Sequence, residues 1–272
     1  MRSKWNRLLA AALCACLVLA PVRAQAVEID PDIQAEFDRL IEIGAGDILD
    51  QFLNGLPEEV RNALMAAEEA KYAAPTTSGQ AAASGTCGVS LDWNLDENGT
   101  LTVTGTGEMF DFRETLPAPW YDSRESVTAL VLEDGVTTMG SRAFAGCTNL
   151  KELTLPEKLS AIGDEAFEDC TALEEIQLPG SLEAIGWGAF SGCEGLTWIQ
   201  IPGTVKYLGG FAFAGCTALN TAAVPEGVTA IELGTFKDCV SLVDVQIPQN
   251  VTAIAGQTFS GCIQLRMVTL PE

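Results

Sequence analysis

Histidine is absent from all 272 residues. A Ser-His-Asp or Cys-His centre needs an imidazole as its base, and a His-ligated zinc site needs one as a ligand, so all three are excluded. Positive charge is scarce: 15 Lys and Arg stand against 37 Asp and Glu, a formal net charge of −22. Such a surface repels phosphate backbones, so nucleic acid is not expected as a partner, and its field favours cationic ones. No glycine-rich phosphate loop and no nucleophile motif is present. Acidic residues are plentiful enough for carboxylate-pair hydrolysis, but no spacing marks two of them as special. The chain is therefore expected to be non-enzymatic, with no catalytic residue, metal or cofactor. Long apolar runs are missing beyond the N-terminus, where a bilayer span would need about 20 residues, so an integral membrane protein is not expected.

What the N-terminus does contain is a basic head with Arg2, Lys4 and Arg7, an apolar run of 13 residues from Leu8 to Ala20, and the small-residue step Ala24-Gln25-Ala26. These are the three parts of a secretory signal peptide, assigned to 1–26. A lipoprotein reading through Leu13-Cys14-Ala15-Cys16 is opposed by the apolar residues that continue past Cys16. Removing the segment takes away four basic residues and moves the net charge from −22 to −26.

Residues 27–74 read as helical. Asp30-Pro31 is an N-cap followed by proline at the first helical position. Ile33, Phe37, Leu40 and Ile41 fall on one face, Ile48, Leu49, Phe52 and Leu53 resume the pattern, and Val60 and Leu64 face inward on a last helix. The small, polar stretch 75–85 reads as a linker. In the segment 86–126, Asn98-Gly99 sits between the alternating runs Leu91–Leu95 and Leu101–Val103, a hairpin signal. Asp92, Asn94 and Asp96 imitate a calcium loop, but Glu97 stands where glycine is needed and Val103 where the bidentate glutamate belongs.

From there the sequence is periodic. Phe144, Phe167, Phe190, Phe213, Phe236 and Phe259 lie 23 residues apart, and the same interval spaces the cysteines from Cys147 to Cys262 and the leucines from Leu150 to Leu265. A gapless period of this length with an L-x-x-(I/L)-x-L strand core marks a repeat solenoid whose rungs bury a continuous core only by stacking. A same-position residue in adjacent rungs lies about 4.8 Å from its copy. Side chains in that register point parallel and lie too far apart for the ~3.8 Å Cβ separation of a disulfide. Nor can a straight row enclose zinc tetrahedrally. Cysteine is therefore expected here as a small, readily buried packing residue.

The unit "AIGDEAFEDCTALEEIQLPGSL" resembles the BspA-type leucine-rich repeats of bacterial surface and secreted proteins, and "CGVSLDWNLDENGTLTVTGTGEMFDF" resembles the cap that precedes them. The resemblance implies an α/β repeat solenoid, right-handed, with a parallel β-sheet on its concave face and an N-terminal β-hairpin cap. It also implies extracellular exposure and a role in adhesion or host interaction, without supplying a ligand.

Counting back one period extends the solenoid to 127–272, with Val127, Leu130 and Leu132 as the first strand. Tyr121 then falls at the aromatic turn and Arg124 in the cysteine slot, as befits an end rung with a wet outer side. The chain stops on the first step of a seventh unit, at Leu270-Pro271-Glu272, so self-association through an uncapped C-terminal end is an expectation. On each strand the residues flanking the buried Ile or Leu face outward. One outward column holds Ala129, Glu152, Glu175, Trp198, Thr221, Asp244 and Met267. The other (Val131, Thr154, Gln177, Gln200, Ala223, Gln246, Thr269) reads as a side-chain ladder that steadies the sheet. The irregular column, from Glu152 to Met267, is the candidate binding surface, with Trp198 as its anchor and an extracellular protein or glycan as its partner.

Overall fold

The computed structural model describes residues 30–42, 52, 55–61, 63–64 and 83–269. The expected signal peptide, the helical positions Ile48, Leu49 and Leu53, and the linker up to residue 82 lie outside them. The chain divides into two compact units, Met1–Glu69 and Ala70–Glu272.

In the first unit, helix α1 runs Pro31–Glu42. Asp30 caps it: its Oδ1 accepts the Asp32 N–H at 2.8 Å and its carbonyl accepts the Gln34 N–H at 3.0 Å, occupying donors the first turn would leave unpaired. Phe37 and Leu64 are fully buried, with Ile33, Phe52, Leu56 and Val60 packed around them.

The second unit opens with antiparallel strands β1 (Ala83–Gly88), β2 (Leu91–Leu95) and β3 (Thr100–Gly105). β1 thus begins inside the stretch read as linker. The reason is steric: a Cβ on Gly85 would sit 2.9 Å from Trp93 Nε1, so only a residue as small as glycine lets the strand lie against that buried indole. The β2–β3 turn is made by Asp96, whose Oδ1 accepts the N–H groups of Asn98 at 2.9 Å and Thr100 at 2.8 Å, while Gly99 takes a φ of +83°. These bonds also hold the Asp96 carboxyl below the usual range.

After β3 come β4 (Gly107–Glu108), a two-turn 3₁₀ helix at Tyr121–Ser126, and then two strands per rung. The first ladder holds β5 (Ala129–Leu132) and, with β6 (Val136–Met139) and its successors alternating, β7 (Glu152–Thr154). Next follow β8 (Ala161–Ile162), β9 (Glu175–Gln177), β10 (Ala184–Ile185), β11 (Trp198–Gln200) and β12 (Tyr207–Leu208). The last rungs supply β13 (Thr221–Ala223), β14 (Ala230–Ile231), β15 (Asp244–Gln246), β16 (Ala253–Ile254) and β17 (Met267–Thr269).

Pairing between rungs is parallel and in register at one period: Ala129 with Glu152, Glu175 with Trp198, Thr221 with Asp244, Asp244 with Met267. β3 joins β5 in parallel as well, so the antiparallel strands continue the first ladder. The even-numbered strands from β4 to β12 form a second sheet, and β9–β11, β13–β15–β17 and β14–β16 form three smaller ones. The odd-numbered ladder divides between β7 and β9, and both ladders divide between the Trp198 rung and the Thr221 rung, where turn bonds such as Phe213 N–H to the Thr235 carbonyl (2.9 Å) carry the stack across.

A file of aromatic rings fills the turn side of the core. Phe144, Phe167, Phe190, Phe213 and Phe236 are fully buried and stack at 5.3–5.7 Å between centroids. Phe259 continues the file at 5.9 Å. At the other end the structure corrects the expected register: Trp120, not Tyr121, stacks on Phe144, at 5.4 Å. The larger apolar ring takes the buried slot because its Nε1–H finds an acceptor there, the Ala143 carbonyl at 2.7 Å. Tyr121 turns outward, 40% exposed, and carries the Arg124 guanidinium 3.9 Å above its ring.

Candidate functional site

The strands that carry the candidate column are only three residues long, with a central apolar residue turned into the core. Ile176 and Ile199 are at most 4% exposed. Their neighbours must then point away from it, and Glu152, Glu175, Trp198, Thr221 and Met267 are exposed. Trp198 is 45% exposed and stands in register beside Glu175. An open cavity of ≈ 320 Å³ adjoins them, lined by Lys151, Ala172, Glu174, Glu175 and Thr197. Asp244 differs from the rest of its column: it is half-buried, and no donor reaches its buried Oδ1 among the described residues. Its neighbours in the ladder are Thr221 and Met267. The column thus combines a rigidly mounted indole with carboxylates, which suits a flat apolar group flanked by donors or positive charge.

The cysteines of the repeat sit elsewhere, on the turn side, and Cys87 lies in β1. All seven in the described residues are free thiols. Five of them make a bond that spacing alone does not reveal: each Sγ–H donates to the carbonyl of the phenylalanine one rung back. The donors are Cys170, Cys193, Cys216, Cys239 and Cys262, with Sγ–O distances of 3.0–3.3 Å. Burial pushes the Cys147 thiol up to about 12, with Arg124 pulling the other way, and pushes Cys170, Cys193, Cys216 and Cys239 up as well. These are inert packing groups that also fasten one rung to the next. Among the described residues no cluster of Cys, Asp and Glu has the arrangement of a metal site, and no helix is long and apolar enough to cross a membrane.

A second exposed group was not foreseen. Trp187 and Leu233, exposed, and Phe211, half-buried, lie two or three residues before the buried phenylalanine of their rungs. Large apolar residues at positions held elsewhere by Asp164, Glu165 or glycine were the available signal.

Parallel in-register rungs around a stacked apolar core, with an exposed strand face, define a leucine-rich-repeat solenoid. The sequence profile of the BspA type leucine rich repeat region matches six copies, over residues 115–241 and 183–272. The chain belongs to that family. Among solved structures it is similar to a leucine-rich repeat protein from Bacteroides ovatus, at 26% identity and a TM-score of 0.55, over 67% of this chain and 52% of that one. The chain therefore spans about half the length of that relative. It is also similar to the leucine-rich repeat protein of T. pallidum, at 28% identity and a TM-score of 0.51, over 65% of this chain and 88% of that one. No curated protein matches the chain.

Proposed function

We propose that this is a non-catalytic extracellular interaction protein, secreted by or displayed on a bacterium, that takes a protein or glycan partner on its strand face. In this reading residues 1–26 are removed on export, and the helical segment 27–74 precedes a linker that gives way to β1 at Ala83. The strand face is the concave one, and Glu152, Glu175, Trp198, Thr221, Asp244 and Met267 meet the partner. The observation that carries it is Trp198, a 45% exposed indole on a rigid parallel ladder beside Glu175. Exposed aromatic anchors on preorganised scaffolds are where binding energy concentrates. Screening residues 27–272 against arrayed extracellular proteins and glycans, beside Trp198→Ala and Glu175→Gln copies, tests it. A ligand bound equally well by all three would exclude this face.

A second reading, a self-assembling envelope module, is supported by the last described rung. There Ile263 is 81% and Met267 59% exposed, while Phe259, Cys262, Leu265 and Val268 are only partly covered. Concentration-dependent mass in light scattering would favour assembly, and a constant monomer mass would exclude it.

A further inference from the structure

The bend that follows the second strand ladder carries an arrangement the repeat does not need. Its second residue takes a left-handed φ in all six rungs: Arg142 at 54°, Glu165 at 53°, Gly188 at 57°, Phe211 at 56°, Gly234 at 62° and Gln257 at 61°. Glycine enters this region freely, and the rungs on either side of Phe211 use glycine. Arg142, Glu165 and Gln257 take the same φ, so the conformation belongs to the repeat; what sets Phe211 apart is a bulky aromatic ring there.

The neighbouring glycines are placed to admit the rings. A Cβ on Gly210 would come within 2.6 Å of Trp187 Cζ3, and one on Gly234 within 2.6 Å of Phe211 Cε1. Trp187 and Phe211 lie 4.9 Å apart, tilted by 50°. Trp187 remains 42% exposed and Leu233 37%. Core packing does not call for any of this, because the buried file of Phe190, Phe213 and Phe236 runs through the same rungs separately.

We propose that Trp187, Phe211 and Leu233 form a second binding site, an aromatic platform for the apolar face of an uncharged sugar ring. Size is one reason. A two-fifths-exposed indole offers about 100 Å², and the three residues together fall well short of the ~800 Å² that a protein partner covers. The rim is another. Asp164 Oδ1 already accepts the Trp187 N–H at 2.7 Å, and Glu165 Cγ lies 3.3 Å from where a Gly188 Cβ would be. Glu165 pairs with Arg142, whose Nη1 also reaches Glu168 at 3.3 Å. Carboxylate acceptors beside an aromatic face match the hydroxyls around a pyranose. The net charge of −22 selects against sulfated or uronic sugars. The site stands on residues apart from the strand face and does not rest on that reading.

The test uses the whole chain on an array of uncharged oligosaccharides (glucans, mannans, galactans, xylans and N-acetylglucosamine chains) beside purified extracellular proteins. Trp187→Ala, Phe211→Gly and Trp198→Ala copies are run in parallel. One uncharged sugar should bind, roughly tenfold more weakly to the Trp187 and Phe211 variants and unchanged to the Trp198 variant. Phe211→Gly should melt no lower than the parent, since glycine relieves the left-handed strain. No bound sugar, or binding that survives Trp187→Ala, would overturn the proposal. Loss in Trp198→Ala alone would move the sugar to the strand face. A protein ligand lost with Trp187→Ala would make the platform a protein interface instead. A Phe211→Gly copy melting well below the parent would make Phe211 a packing residue.

Discussion

Raising the pH should unfold this protein through its cysteines. Six of them, Cys87, Cys147, Cys170, Cys193, Cys216 and Cys239, are fully buried. Burial raises each thiol in the folded chain, to about 12 for Cys87 and Cys147. In the unfolded chain a thiol ionises near 8.5. A folded value above the unfolded one means the contribution to stability is fully present below about pH 8.5 and is lost as the pH rises towards the folded value. At about pH 10 the unfolded state gains roughly 2 kcal/mol per thiol by ionising, while the folded state gains almost nothing. Over the six buried thiols this sums to about 12 kcal/mol, comparable to the 5–15 kcal/mol by which a typical domain is stable. Urea midpoints followed by circular dichroism from about pH 7.5 to about pH 10, with a reductant present, should fall steeply above about pH 8.5. A Cys193→Ala copy should show a shallower fall, having one thiol fewer to ionise. A midpoint that stays level across this range would refute the reasoning, because thiols that ionise freely in the folded chain cannot be packed as described.

Alkylation at about pH 8 should reach Cys262 first, the one cysteine of the periodic row that is not fully buried. Cys170 to Cys239 should label only as fast as the chain unfolds, read by mass spectrometry. Phe190→Ala should cost about 3–5 kcal/mol, since it empties a slot between two stacked rings, and Phe259→Ala less, both measured by urea unfolding. Gly210→Ala should lower the melting temperature by displacing Trp187, whose Cζ3 lies 2.6 Å from the new Cβ, and by crowding the Leu233 carbonyl at 2.9 Å. Trp198→Ala should leave the unfolding free energy within about 0.5 kcal/mol of the parent while weakening any strand-face ligand, because the side chain fills no core space.

The period of 23 residues was enough to place the rungs and, in all but the last, their buried Phe, Cys and Leu. A gapless period forces equivalent residues into equivalent surroundings, so one unit read correctly is six read correctly. The Asn98-Gly99 turn was legible for a different reason: its backbone demands a φ that few other residues accept. Where the repeat ends, so does that advantage. Trp120 rather than Tyr121 enters the stack because the 3₁₀ turn breaks the count and the choice passes to ring size and to an acceptor on Ala143. The start of β1 at Ala83 rests likewise on how closely Gly85 approaches Trp93.

By itself, then, the sequence determined the repeat, the inert role of its cysteines and the exclusion of imidazole chemistry, since these follow from composition and spacing along the chain. Only the tertiary structure decided which carbonyl five of the thiols meet, that Asp244 keeps a buried acceptor with no donor among the described residues, and that the rings of Trp187 and Phe211 meet at the surface beside the Leu233 turn. Those facts depend on residues from different rungs, brought together by distances and left-handed turns that no single stretch of sequence contains.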